Sequence, residues 1–328
     1  MIRATYRNAA GTITADLPLN RLTEALKDKD GLVWVDLAGE PYEVCAPILL
    51  ETFGFHPLAV DDALAETHVP KVDDWGDYIY VVLHAVTYPP NHNGRLDTHE
   101  LDVFLGRSYL VTYQAHPMNA VSRVWESCQR DQRHLRQNVS HLLYKLADEL
   151  VMEYMPVVER IDEAIDGIED VVFHDPNQTL LEEVFALKRA TLHLRRIIAP
   201  QREVINKLGR GDFATIPLAD RIFFRDVYDH LVRLHDITES LRDLVGGTID
   251  TYLSVVNNRM NDAIKTLTTI ATLFMPLSFL TSFFGMNFFF PDHPLRAWME
   301  RPVFLILLLL LTVVPGFMFL WMRRRHWM

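Results

Sequence analysis

Cysteine is scarce in this chain: Cys45 and Cys128 are the two among 328 residues. They share no CxxC spacing, which excludes a disulfide framework and fits a reducing compartment. Catalytic signatures are missing too. No phosphate-binding glycine loop, GxSxG elbow, HExxH or Cys/His cluster occurs, which excludes the enzyme classes built on them. The fourteen histidines are scattered, and His84, His92, His99, His116, His134 and His141 show no metal-ligand spacing. The opening stretch MIRATYRNAAGTITADL lacks the apolar core of a signal peptide, so the front of the chain is expected to stay cytoplasmic. Charge is the last thing in short supply. Ile264 to Gly285 has Lys265 as its one charged side chain, and Val303 to Met322 has none.

Those two runs, apolar and almost free of charge, are what the chain has instead. About 20 apolar residues, rising about 1.5 Å each, cross a hydrocarbon core about 30 Å thick. Two such runs with a short loop between them make a membrane hairpin. Arg323, Arg324 and Arg325 follow the second run at once and are expected to stay on the cytoplasmic side. With two spans the N-terminal domain lies on that side as well, so both termini are cytoplasmic in a bacterial-type inner membrane. Residues after 263 carry a net +4, while the whole chain carries −11, so residues 1–263 hold −15. An acidic front argues against nucleic acid as a partner, because phosphate backbones need basic stripes. It suits cations, and plain solubility would read the same way.

The chain divides by pattern. In residues 1–117 the runs Leu32–Leu37, Tyr78–His84, Leu101–Leu105 and Ser108–Tyr113 read as strands, with turns at Gly94 and Gly106-Arg107. Glu43–Phe53 and Pro57–Ala65 read as helices, so the fold class expected is an α+β domain with a mixed sheet flanked by helices. Residues 118–217 read as a helical hairpin, Val139–Phe173 interrupted at Pro156, then Gln178–Lys207 with an internal Pro200. Residues 218–287 form a stalk helix running into the first span. Unbroken from Asp220 to Gly285, it would be about 100 Å long. Gly246-Gly247 is read there as a place of close helix packing. Residues 288–302 are the external loop, 303–322 the second span, and 323–328 a basic tail.

So long a helix needs neighbours, and a bundle of copies is expected. Thr268, Ala271, Met275, Ser278 and Ser282 recur at three- and four-residue steps in the first span. Such a stripe of small or polar groups faces either helix neighbours or a pore. At its external end stands Gly285-Met286-Asn287. A ring of Asn287 carbonyls would offer acceptors to the water shell of a cation that keeps its waters, as Mg²⁺ does.

With that tripeptide the chain resembles the CorA family of divalent-cation channels, known for magnesium and also passing cobalt or nickel. The resemblance rests on the stretch from Thr266 to Phe288 that contains it. It rests also on Phe224-Arg225-Asp226-Val227-Tyr228-Asp229-His230 and on Phe55-His56-Pro57-Leu58 followed by Asp61-Asp62. The family likeness implies a homopentameric funnel, with the stalk helix continuing into a pore-lining first span and the second span forming an outer ring. It implies Asn261, Ile264, Leu267, Thr268, Met275 and Ser278 as pore-lining residues below the Gly285-Met286-Asn287 filter. Ile264 and Leu267 would be the hydrophobic constriction, although family members often carry methionine where Ile264 stands.

The resemblance also implies regulatory Mg²⁺ held between subunits. The matching positions are Asp62, with Asp61 beside it, against Asp226 of the next subunit, and Asp148 as a second-site ligand. Asp250 would stand near the pore entrance. Carboxylates facing each other across an interface repel until a divalent cation neutralises them, so ion loss loosens the ring. One departure concerns the external loop. The family often has a Met-Pro-Glu-Leu type segment, whereas Phe288 to Met299 offers Asp292 with Arg296 close by. The Phe cluster there suits interfacial anchoring. Three other readings remain at this stage: a ZntB-like zinc transporter, possibly proton-coupled; an enzyme tethered by its hairpin; and a sensor that conducts nothing.

Overall fold

The computed structural model describes residues 1–65, 69–88, 96–131, 133, 135–286 and 301–325, in two compact units, Met1–Asp250 and Thr251–Met328. In the first unit come β1 (Ile2–Arg7), β2 (Ile13–Thr14), α1 (Leu22–Ala25), β3 (Leu32–Ala38) and α2 (Tyr42–Pro47). A π-helical turn over Ile48–Thr52 leads to α3 (Pro57–Ala65). Then follow β4 (Lys71–Asp74), β5 (Ile79–Thr87), β6 (Asp97–Leu105) and β7 (Tyr109–Gln114). The strands form one sheet in the order β2-β1-β3-β7-β6-β5-β4, with β3 and β7 parallel and the other pairs antiparallel. The mixed sheet expected from the sequence is therefore present. The Gly106-Arg107 turn is present as well, closed by Gly106 N–H donating to Tyr109 O at 3.0 Å. The Gly94 turn lies outside the described residues.

Both faces of the sheet are covered, which is why β3 reads as an unbroken buried run rather than an alternation. Val33, Val35 and Leu37 point to one face. There they join Tyr80, Val82, Phe104 and Val111 against Cys45, Leu49, Ala59, Val60 and Ala63 of α2, the turn after it and α3. Phe55 is the centre of this layer, stacked on Phe104 at 4.3 Å and tilted against Tyr78 at 4.7 Å. On the other face Trp34 meets Trp125 at 4.8 Å, on α4 (Asn119–Arg130).

Asp36 is fully buried in the middle of β3. Arg3 Nε donates to it at 2.9 Å, and Thr112 and Gln114 donate at 2.8 and 2.9 Å. Arg3 in turn lies over the Trp125 ring. A buried carboxylate is tolerable only when its charge and lone pairs are met in this way. The network ties β1, β3, β7 and α4 together.

Helices α5 (Val139–Met152), α6 (Tyr154–Val172) and α7 (Gln178–Arg210) follow. The interruption anticipated at Pro156 falls at Glu153 instead. Proline has no N–H for the carbonyl four residues back and its ring crowds that carbonyl, so the helix gives way one turn upstream. Pro200, by contrast, sits inside an unbroken α7. That helix stops at Gly211, whose φ of +94° is the left-handed cap that glycine adopts freely. Two helix side chains finish the sheet edge. β4 pairs with β5 only as far as Val82, and beyond it the His84 backbone bonds sideways: its N–H to Gln201 of α7 at 2.9 Å, its carbonyl from the Tyr154 hydroxyl at 2.6 Å.

The stalk helix is α8, Arg221–Phe284, 64 residues without a break. Gly246-Gly247 leaves it intact. A Cβ added at either glycine would meet nothing within 4 Å, so the close packing expected there is not made within the chain. In the first unit α8 buries Phe224, Val227, Leu231, Leu234, Thr238, Leu241 and Val245, at the three- and four-residue steps of one helical face. The second unit holds the rest of α8 and α9 (Arg301–Arg324). Its apolar side chains, among them Phe274, Phe279, Leu309, Val313 and Phe317, are exposed. Helices clothed in exposed apolar groups and long enough to span a bilayer mark a membrane protein with two spans.

Phe55→Ala is expected to remove about 3–5 kcal/mol of stability by leaving a hole in the Phe55 layer. Urea unfolding followed by tryptophan fluorescence measures it, and a loss below about 1 kcal/mol would show that the layer collapses around the cavity.

Candidate functional site

Helix α8 ends at Phe284, and the signature begins on the next residue. Gly285 N–H still donates to Thr281 O at 2.9 Å, and Met286 N–H to Phe283 O at 3.4 Å. A Cβ on Gly285 would come within 2.9 Å of the Thr281 carbonyl oxygen, closer than real Cβ contacts, so a side chain at 285 would force the helix end open. Met286 is exposed. Asn287 and the loop to residue 300, with Asp292 and Arg296, lie outside the described residues.

Below the signature, Asn261, Ile264, Leu267, Thr268, Met275 and Ser278 share one broad face of α8, since successive residues turn by about 100°. All six are exposed in the single chain, Leu267 at 68% and Met275 at 72%. Neighbouring threonines are quiet by comparison. Thr266, Thr272 and Thr281 donate back to the carbonyls of Asp262, Thr268 and Leu277 at 2.7–2.9 Å, so their hydroxyls are satisfied by their own helix. Asp250 lies farther still from the signature on α8 and is exposed.

The four acidic positions fall into two groups. Asp61 and Asp62 sit on α3. Tyr42 OH donates to Asp61 at 3.3 Å, and Asp61 is the first cause of a raised Tyr42 pKa. Asp62 is ion-paired with Lys71 at the start of β4, and Lys71 also reaches Asp73 at 3.2 Å. Burial works against the Lys71 ammonium, but hydrogen bonds to Asp62 and Asp73 outweigh it and raise its pKa.

Asp148 and Asp226 come together where α5 packs on α8. Asn138 caps α5 through its bond from His141 N–H at 3.0 Å, and Ser140 bonds Asp220 just before α8. Phe223 of α8 stacks on Tyr144 at 5.0 Å and meets His141 edge-on at 5.1 Å. One turn on, Asp148 is half-buried. Burial raises its pKa, Lys145 and His230 pull it down, and Glu149 and Asp226 push it up again. Asp148 and Asp226 thus feel each other within one chain, with His230 beside them. Among the described residues no three His, Cys, Asp or Glu side chains come close enough to hold a metal ion.

Three features escaped sequence reading. His230 joins Asp148 where α8 packs on α5, and Lys71 joins Asp62 from β4, nine residues on. The third is a buried acid pair: Asp102, 1% exposed, accepts from Tyr80 OH at 2.6 Å beside Glu100, itself 3.8 Å from His84 Nε2. Burial first, then Glu100, raises the Asp102 pKa well above the usual carboxylate range. Acids at alternate positions with Phe104 in β6 were the available signal, because all three must share its face.

Comparison with known proteins adds four likenesses. Residues 29–324 match the family model described as CorA-like Mg²⁺ transporter protein. The chain is 33% identical over 303 residues to the cobalt/magnesium transport protein CorA of Thermotoga maritima, covering 92% of this chain and 85% of that one. It is 32% identical over 327 residues to YfjQ of Bacillus subtilis, covering 100% and 98%. The complete structure of the CorA magnesium transporter from Methanocaldococcus jannaschii superposes with a TM-score of 0.84 over 100% of this chain and 99% of that one. At 19% identity this is a likeness of fold.

Asp148→Asn is expected to raise the melting temperature of the purified protein in EDTA by a few degrees, because it removes a half-buried charge that burial disfavours. A lowered melting temperature would show that the Asp148 charge is held by partners on this chain.

Proposed function

The chain belongs to the CorA-like Mg²⁺ transporter family, and from that membership we propose that it forms a passive, homopentameric Mg²⁺ channel of the bacterial inner membrane. The observation that carries this reading is the unbroken run of α8 to Phe284, which brings Gly285 and Met286 to the end of a membrane span, Asn287 being next in the sequence. Both termini are cytoplasmic, residues 288–302 are the external segment, and residues 303–322 form an outer ring of second spans. Residues 1–117 and 118–217 are the cytoplasmic α/β and helical-hairpin domains, and 218–287 the stalk and pore helix.

Asn287, with Gly285 and Met286, forms the selectivity ring. Neutral carbonyls hold a cation through its waters, which suits Mg²⁺ because it dehydrates reluctantly; Co²⁺ and Ni²⁺ are further cargo. Asn261, Ile264, Leu267, Thr268, Met275 and Ser278 line the path beneath. The exposure of Ile264 and Leu267 in the single chain supports a dewetting constriction formed when five copies meet. Asp250 draws cations at the inner entrance. The membrane potential drives influx, at about 2.3 kcal/mol per charge per 100 mV.

Gating follows from the acids. Asp61 and Asp62 of one subunit meet Asp226 of the next across the cytoplasmic interface, and Asp148 adds a second regulatory site. That a single chain assembles no three-ligand group among its described residues supports a site completed by a neighbour. Bound Mg²⁺ cancels the repulsion and holds the ring closed; ion loss releases it.

Asn287→Ala is expected to abolish Mg²⁺ entry into voltage-clamped proteoliposomes while the oligomer stays intact on gel filtration; wild-type flux would remove Asn287 from the filter. Running Mg²⁺, Co²⁺, Ni²⁺ and Zn²⁺ with and without a pH gradient tests the cargo, and Zn²⁺ entry that requires the gradient would overturn the passive Mg²⁺ reading. Asp226→Ala is expected to weaken Mg²⁺-dependent protection of the stalk from protease, and unchanged protection would take Asp226 out of the sensor.

A further inference from the structure

β4 is the last strand of the sheet and one of its shortest, reading Lys71-Val72-Asp73-Asp74. Its first residue is placed with unusual care. The Lys71 ammonium is bonded to Asp62, lies 3.2 Å from Asp73, and stands 5.1 Å from the centre of the Tyr80 ring. That ring is a fixed platform: Tyr80 is fully buried and its hydroxyl is tied to Asp102 at 2.6 Å. Two carboxylates and an aromatic face therefore hold one positive charge against Asp62, the carboxylate that meets the next subunit in the gating scheme. Lys71 is 29% and Asp62 46% exposed, so water and ions reach the pair.

We propose that Lys71 is a built-in competitor for the regulatory cation, occupying Asp62 in the empty state and setting the Mg²⁺ concentration at which the sensor fills. The proposal rests on the reading of Asp62 as a sensor ligand. A carboxylate already holding an ammonium gives up that contact when a divalent cation arrives, or shares its second oxygen at the cost of bringing two cations together. Either way the apparent affinity is lower than that of a bare Asp62. The Tyr80 face and Asp73 give the displaced ammonium somewhere to remain, so exchange leaves no stranded charge.

The test is the Mg²⁺ midpoint for protease protection of the purified full-length protein, read for K71M, K71Q, K71R and D62N. K71M and K71Q are expected to lower the midpoint about two- to fivefold, the scale of one partly exposed ion pair. K71R keeps the charge and is expected to restore the wild-type midpoint, which a purely structural role for the lysine stem would not do. If K71M lowers resistance to protease without Mg²⁺, the polar K71Q decides. D62N losing its Mg²⁺ response while K71M and K71Q keep the wild-type midpoint would overturn the role of Lys71 alone. D62N keeping the wild-type response would overturn the sensor reading, and the competitor with it.

Discussion

In hydrocarbon a backbone amide has no partner but another part of its own fold, and this one constraint organises the second half of the molecule. It requires helices of spanning length, and α8 and α9 supply them. It makes polar side chains settle locally, as Thr266, Thr272 and Thr281 do on the carbonyls behind them. It also puts a cost on Pro276 and Pro315, each of which denies an N–H to the carbonyl four residues earlier, yet neither breaks its helix. Where the helix finally ends, glycine is the residue the geometry accepts, because any Cβ at 285 collides with the Thr281 carbonyl.

The soluble front obeys a different rule, in which the treatment of an acid separates scaffold from switch. Asp36 is buried with a guanidinium and two further donors and is finished business: nothing about it can change without loss of the sheet. Asp148 is half-buried, disfavoured by burial first, relieved by Lys145 and His230 and opposed again by Glu149 and Asp226, and Asp62 is paired with a single lysine at a partly exposed site. These less completely satisfied carboxylates, on α3 and α5, are the kind on which the proposed gating depends.

How much of this was legible in the sequence depended on how far each feature reaches along the chain. Buried strands announced themselves as apolar runs, and β3, β5, β6 and β7 were found within a few residues; the two nearly uncharged runs gave the spans. β2 and β4 were missed because edge strands carry polar residues, Lys71-Val72-Asp73-Asp74 being the extreme case, and β1, which lies between β2 and β3, because its Ile2–Arg7 run mixes polar with apolar residues. The break before Pro156 was misplaced by three residues because proline acts on the turn behind it. At the candidate site, exposure of the α8 face agreed with its spacing, while the meeting of Asp148 with Asp226 and His230 arises from packing of α5 on α8, tens of residues apart, and that of Asp62 with Lys71 from a contact between α3 and β4, nine residues on. No local pattern encodes such a meeting.

The buried Asp102 and Glu100 pair changes how the front should be counted as an electrical object. A formal charge of −11 treats every carboxyl as ionised. Burial and the neighbouring Glu100 push the Asp102 pKa well above the usual carboxylate range, so a tally that counts it like a surface acid includes a charge that the fold disfavours. The acids that solvent reaches are those at the surface, Asp61, Asp226 and Asp250 among them. Counting exposed carboxylates rather than all carboxylates is the measure of this protein's reach into solution.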